Sequence, residues 1–249
     1  MHICAQCFWL PKAGHTSDEY EDAFWPEQQV DQNVDQFQVA VADGATETSF
    51  SHYWARLLVH NYDPRFVSLN ARGLLPLQRQ WLEYVKDKPL PWYAEEKARS
   101  GAFSSLIGLT IRADQSHSGG KWKAIAVGDS CLFQIRDDRL LTSFPLDHFE
   151  QFNNRPSLLS SNPTGNTDLA QITAHKTSCW EYGDAFYLMT DALACWFLKA
   201  CATDAKPWEL IRDLDTPSQG TIFDGWITEL REANALRNDD VTLFRVDVV

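Results

Sequence analysis

No apolar run in the 249-residue sequence approaches the roughly 18 residues that a membrane-crossing helix requires, so no membrane span is expected. The first residues carry no basic stretch followed by an apolar core and a cleavage site, and a cytoplasmic location is the expectation. Positive charge is scarce. Lys and Arg number 22 against 34 Asp and Glu, and the formal net charge of −12 opposes attraction to nucleic acid or to an anionic lipid surface. Neither a nucleic acid nor a membrane is therefore an expected partner. Glycine-rich phosphate loops are missing too: no GxGxxG, and no GxxxxGK followed by Ser or Thr, comes after a strand-like run, which excludes the dinucleotide-binding and P-loop architectures. The six cysteines are scattered at positions 4, 7, 131, 179, 195 and 201, mostly inside apolar runs, and are expected as buried thiols that act as small hydrophobes. One CxxC, Cys4 to Cys7, opens a strand-like segment with no second pair at ligand spacing, which argues against a zinc site and against a redox pair.

What is present suffices for a substantial core: 44% of the residues are hydrophobic, so neither disulfides nor structural metals are needed as staples. Strand-like runs cover residues 3–10, 37–42, 103–111, 121–127, 131–136, 140–141, 172–177, 185–190 and 241–248. Helical spacing of apolar residues marks 49–62, behind candidate Ser caps at 49 and 51, then 74–98 with a break forced by Pro89 and Pro91. Further helices are expected at 193–202, 207–213 and 223–233. Residues 12–26 and 151–166 read as loops, the second as a flexible excursion, and Gly119-Gly120 and Asp137-Asp138 suit hairpin turns. The order of strands, helices, strands, helices and strand predicts an α+β layered fold with mostly antiparallel sheet, in one domain over residues 1–249.

Acidic residues stand at the ends of these strands. Asp43 and Gly44 close one run, Asp191 closes another, and Asp239 and Asp240 open the last. Each has an ordinary reading as a turn or helix cap. Desolvating a carboxylate costs several kcal/mol, however, so acids that converge at the ends of buried strands need positive charge between them, and a hard divalent cation is the natural source.

Glu21-Asp22-Ala23, Val41-Ala42-Asp43-Gly44, Gly128-Asp129-Ser130, Thr190-Asp191-Ala192 and Asp239-Asp240-Val241-Thr242-Leu243 together resemble, in order and rough spacing, the motifs of PPM-type (PP2C-like) serine/threonine protein phosphatases. The small-residue entry Gly101-Ala102-Phe103-Ser104-Ser105 is similar as well, and the likeness runs from about residue 14 to the C-terminus, closest to compact bacterial-type members. The resemblance implies a four-layer α-β-β-α sandwich, two antiparallel sheets flanked by helices, with two Mg²⁺ or Mn²⁺ ions at one end. It implies that Asp43 bridges the ions, that the Gly44 carbonyl binds one, that Asp191 and Asp239 bind the other, and that Glu21 and Asp22 hold metal partly through water. Asp43, Asp191 and Asp239 would be the catalytic set. The implied substrate is a phosphoserine or phosphothreonine on a protein, with a cognate serine/threonine kinase as the counterpart in signalling.

Three positions depart from the family pattern. Ser17 stands where an arginine usually clamps the substrate phosphate; Lys12 and His15 are nearby cations that lack its planar fork. Ala192 replaces a usual glycine. Cys195 stands where many members have an aspartate for a third metal, which leaves Asp129, the candidate third-metal residue, without its partner and argues against a third ion. These departures motivate a second expectation, a catalytically weak or inactive phosphatase-like module that binds phosphoproteins or regulates a partner. His148 is expected at the surface.

Overall fold

Two antiparallel sheets stack face to face and carry helices on their outer sides, in a computed structural model that describes residues 1–46, 48, 50–62, 71–86, 88, 100–114, 119–153, 155–214 and 220–249. The first sheet contains β1 (His2–Leu10), β3 (Val30–Asn33), β8 (Cys131–Arg136), β9 (Arg139–Phe144), β12 (Ala185–Met189) and β13 (Val241–Val248), in the order β3-β1-β13-β12-β8-β9. The second contains β2 (Ala23–Trp25), β4 (Gln36–Ala42), β6 (Leu106–Ala113), β7 (Gly120–Val127) and β11 (Ala174–Trp180), in the order β11-β7-β6-β4-β2. A small pair, β5 (Phe103–Ser104) with β10 (Leu159–Ser160), sits beside them.

Side-chain alternation explains the layering. Val39, Val41, Ile107, Leu109 and Trp122 point from the second sheet toward Ile3, Leu188, Phe244 and Val246 of the first, and this dry interface is the central core. Val241 and Leu243 face the other way, onto α4 (Asp191–Cys201), α5 (Pro207–Arg212) and α6 (Gly220–Glu232), through Leu193, Phe197, Ile211 and Phe223. Strand β13 is thus buried on both faces over residues 241–244, while Arg245 and Asp247 farther along are only partly buried. On the far side, α1 (Ser51–His60) and α2 (Ala71–Lys86) cover the second sheet with Trp54, Leu58, Leu74 and Trp81. The expected sandwich of two antiparallel sheets between helices is the observed one. None of the described helices is long and apolar enough to cross a membrane.

Several local expectations change. The loop expected at 12–26 contains β2, whose Ala23 pairs with Ala42 of β4. Strand β3 was not expected because Val-Asp-Gln-Asn has no apolar alternation; it is an exposed edge held to β1 by backbone pairing. Strand β9 extends to Phe144, well beyond Leu140-Leu141. The run expected at 103–111 divides at Ser105, and short α3 (Leu169–Ile172) precedes β11, which begins at Ala174. The stretch expected as a flexible excursion carries β10 and is pinned by Asn166, whose amide bonds both the NH and the carbonyl of Ser160. Helix α1 starts at Ser51 behind Phe50, which takes a left-handed φ of 61° and no side-chain cap. Residue 49, the other expected cap, and the break at Pro89 and Pro91 lie outside the described residues. Of the six thiols only Cys131 is fully buried, and Cys179 is exposed, because alternate residues of an edge strand face solvent.

A polar tie crosses the core. Trp122 Nε1 on β7 donates to Gln134 Oε1 on β8 at 3.2 Å, Gln134 Nε2 donates to Asp184 Oδ2 at 2.7 Å, and Arg136 holds Asp184 bidentately at 2.6 and 2.7 Å. The Asp184 side chain is fully buried while that of Arg136 is 20% exposed, so removing the arginine strands a charge in the interior. Arg136→Leu is expected to destabilise the chain by about 3 kcal/mol, read as a lower midpoint in urea unfolding; an unchanged midpoint would refute the role of the pair.

Candidate metal centre

The registers of the two sheets bring the strand-end acids to one edge of the sandwich. Asp22 precedes β2 and Asp43 follows β4, and since Ala23 pairs with Ala42, the two aspartates are one step beyond the last pair of the ladder. In the facing sheet Met189 pairs with Leu243, so Asp191, at the first turn of α4, and Asp239, just before β13, leave at the same end. Asp129 lies in the crossing from β7 to β8, where Gly128 at φ 93° lets the chain pass from one sheet to the other.

The backbone at Asp43 is clamped. Its carbonyl accepts from the Ser105 NH at 2.9 Å and Ser104 Oγ at 2.8 Å, its NH donates to Ser105 Oγ at 3.1 Å, and Ser105 Oγ meets Ser130 Oγ at 2.6 Å. The small residues that open this strand therefore serve to hold Asp43. Gly44 bridges to Ser104 through its neighbours' hydrogen bonds, a pattern that turns its own NH and carbonyl away from that strand. A side chain at Gly44 would place Cβ 2.5 Å from the Glu21 carbonyl oxygen, so close approach also requires glycine here.

Electrostatics mark the cluster. Burial, followed by Asp22, Asp191, Asp129 and Asp239, pushes the Asp43 carboxyl well above its ordinary range. Burial and then Asp191 raise Asp129 to about 7. Asp22 is raised by burial and partly compensated by Thr242 Oγ1, which donates to it at 2.6 Å while accepting from the Tyr20 hydroxyl. Asp191 is raised by burial against the attraction of Arg237, whose Nη2 donates to Asp191 Oδ2 and, at 2.7 Å, to Asp239 Oδ2. The other Asp191 oxygen, Oδ1, is buried with no hydrogen-bond partner. Asp43, Asp129, Asp191 and Asp239 line one cavity of about 590 Å³, together with Thr46, Arg155 and Arg237.

Glu21 turns inward from the acidic run and accepts from Ser51 Oγ at 2.6 Å, which is where the expected helix-capping serine is directed; Asp18 and Glu19 stay on the surface. Lys12 Nζ lies 3.5 Å from Glu21 Oε2 and 3.4 Å from Thr46 Oγ1, at the cavity margin. His15 faces Glu19 and His148 is 75% exposed beside Asp147, and neither lines the cavity. Ser17 sits in an exposed 3-10 turn. Two roles escaped the sequence reading, that of the strand-end acid Asp240 and that of Arg237. Asp240 is buried and accepts from the backbone NH of Lys12 and of Glu21, both at 2.8 Å, so it fixes the loop that carries Glu21. Arg237 was overlooked because nothing in one dimension shows that a polar residue two positions before Asp239 folds back on Asp191.

Donors of this kind, carboxylates and a carbonyl with an unpartnered carboxylate oxygen among them, fit hard ions such as Mg²⁺ or Mn²⁺. A different set, His2, Cys4 and Asp31, offers ligand atoms within 4.8 Å of one another and could also hold a metal. It belongs to the opposite end of β1, about 20 Å away by strand rise, and its nitrogen and sulfur suit softer ions. Cys7 faces the central core instead, so the CxxC is not a pair in space.

A family model described as Protein phosphatase 2C matches residues 14–230. Among solved structures, the chain is similar to the photosystem II phosphatase PBCP (TM-score 0.60, 14% identity, 99% of each chain covered). It is similar to the catalytic domain of the serine/threonine protein phosphatase PstP in complex with 2 manganese ions (TM-score 0.58, 14% identity, 99% of each chain). A third is serine/threonine phosphatase Stp1 from Staphylococcus aureus (TM-score 0.57, 12% identity, 98% of this chain and 94% of that one). Comparison with curated proteins finds no match.

The raised carboxyl of Asp129 sets a pH dependence. Stabilisation from a group whose folded pKa is raised is present below its unfolded value, about 4, and is lost as the pH rises through about 7. In chelator, Asp129→Asn should therefore be more stable than the wild type by a margin that grows between these values and is flat above them. Thermal unfolding from about pH 5 to about pH 8 measures this, and a margin independent of pH would contradict it.

Proposed function

The chain belongs to the protein phosphatase 2C family, and from that premise we propose that it hydrolyses phosphoserine and phosphothreonine on proteins with two divalent ions. The observation that carries this reading is the convergence of Asp43, Asp129, Asp191 and Asp239 on one cavity, with Asp22 at the adjoining strand end and Asp191 Oδ1 left without a donor. Asp43, Asp191, Asp239 and the Gly44 carbonyl would hold the ions directly, and Glu21 and Asp22 partly through water. When bound, two Mg²⁺ or Mn²⁺ ions supply Lewis acidity and lower the pKa of a water placed for in-line attack on the phosphorus.

The chain's own residues do the positioning. The serine clamp on Asp43 and the Asp240 bonds to the Glu21 loop hold these groups before substrate arrives, so little reorganisation is left for the reaction. A cavity open to solvent and lined by both a loop and strand ends suits a phosphorylated side chain presented by another protein. The manganese-bound PstP structure, similar in fold, supports the choice of metal. Asp129 beside Cys195 supports two ions over three. A cytoplasmic site of action opposite a serine/threonine kinase completes the proposal.

Ser17, in place of the clamping arginine, favours a second reading, a weak or inactive module that binds phosphoproteins. Phosphate release from a phosphothreonine peptide separates the two. Under the first reading it depends on Mn²⁺ and falls about 100-fold or more in Asp43→Asn and in Asp239→Asn. Peptide binding by calorimetry with no turnover and no Mn²⁺ isotherm would establish the module instead.

A further inference from the structure

We infer that Arg237 grips the phosphate group of the substrate, a role that in this chain passes from the first acidic motif to the segment just ahead of β13. The inference rests on the phosphatase reading above. Arg237 uses only Nη2 to hold the two carboxylates, Asp191 and Asp239; the N–H donors on Nε and Nη1 have no partner among the described residues. Its side chain is 52% exposed and lines the same cavity as Asp43 and Asp129, so these unused donors belong to a group that can reach solvent and the acidic centre together.

The other cations near the cavity are less suited. Lys12 is already set against Glu21 and Thr46 and offers a point charge without directional donors in a plane. Arg155 lines the cavity, but it has no carboxylate partner among the described residues and stands on a connecting loop. Arg237 is preorganised by two ion pairs whose acids belong to the base of α4 and the start of β13, which lowers the ordering cost of each bond it makes to phosphate oxygen. Both ion pairs engage Oδ2 and leave Asp191 Oδ1 without a hydrogen-bond partner, so orienting the carboxylates and holding a phosphate dianion are compatible duties.

The test uses the full chain at saturating Mn²⁺, with metal loading checked by calorimetry for each variant. Inorganic phosphate is the probe, through its inhibition constant against p-nitrophenyl phosphate and through direct calorimetric binding. Arg237→Gln should weaken phosphate and raise the KM of a phosphothreonine peptide by about tenfold or more, with a smaller change in kcat, while Arg237→Lys recovers part of the loss. Arg155→Gln should change phosphate affinity less than about threefold. Wild-type phosphate affinity in Arg237→Gln overturns the inference, as does a loss confined to Arg155→Gln. If Arg237→Gln does not fold, Arg237→Lys decides: weakened phosphate at an unchanged Tm supports the inference, and unchanged phosphate overturns it. Hydrolysis by the wild type together with full phosphate affinity in the variant overturns this inference alone. A Mn²⁺-loaded wild type that neither hydrolyses ester nor binds phosphate overturns the phosphatase reading along with it.

Discussion

Like charges held together at the end of a dry sandwich are the constraint around which this molecule is organised. Each carboxylate gives up water to be there and is repelled by the others, and the pKa directions of Asp22, Asp43, Asp129 and Asp191 are all upward for that reason. Folding tolerates the arrangement because the rest of the chain supplies the opposing free energy, chiefly the apolar contact between the sheets and the two helix layers. A site assembled at such expense is a sign of use, since apolar residues in the same places would make a more stable protein.

Rigidity around the cluster comes from short polar contacts, each built from a residue that is unremarkable alone. The Ser104 hydroxyl bonds the Asp43 carbonyl, and the Ser105 hydroxyl, itself paired with that of Ser130, accepts from the Asp43 NH. Thr242 relays a hydrogen bond from Tyr20 to Asp22 while its NH donates to the Thr190 hydroxyl, tying β13, β12 and the first acidic loop together. Asp240 closes the loop of Lys12 and Glu21 against the start of the last strand. Packing sets where the strands end, and these bonds set where the carboxylates point. Both are needed, because a displacement of about 1 Å is enough to lose a productive geometry.

Much of this was legible in one dimension because the signals were local or strongly periodic. Strand β13 and helices α4 to α6 matched their expected positions within a few residues, since apolar faces recur along them at the period of the element. The polar edge strand β3 and the three-residue β2 were invisible, because their existence depends on a neighbour offering backbone groups. The strand-end acids were readable as a set, and so was the resemblance they support. The roles of Ser51, Asp240 and Arg237 were not, because each acts on a residue 30 or more positions away, or on an element that only folding brings near.

By itself the sequence determined the fold class, the order of its elements and which carboxylates stand at strand ends, all of which follow from spacing along the chain. Only the tertiary structure decided that Asp43, Asp191 and Asp239 share one cavity, which of their oxygens already has a donor, and which cation faces them. The physical reason is that spacing is a property of neighbours in the chain, whereas desolvation and charge depend on neighbours in space.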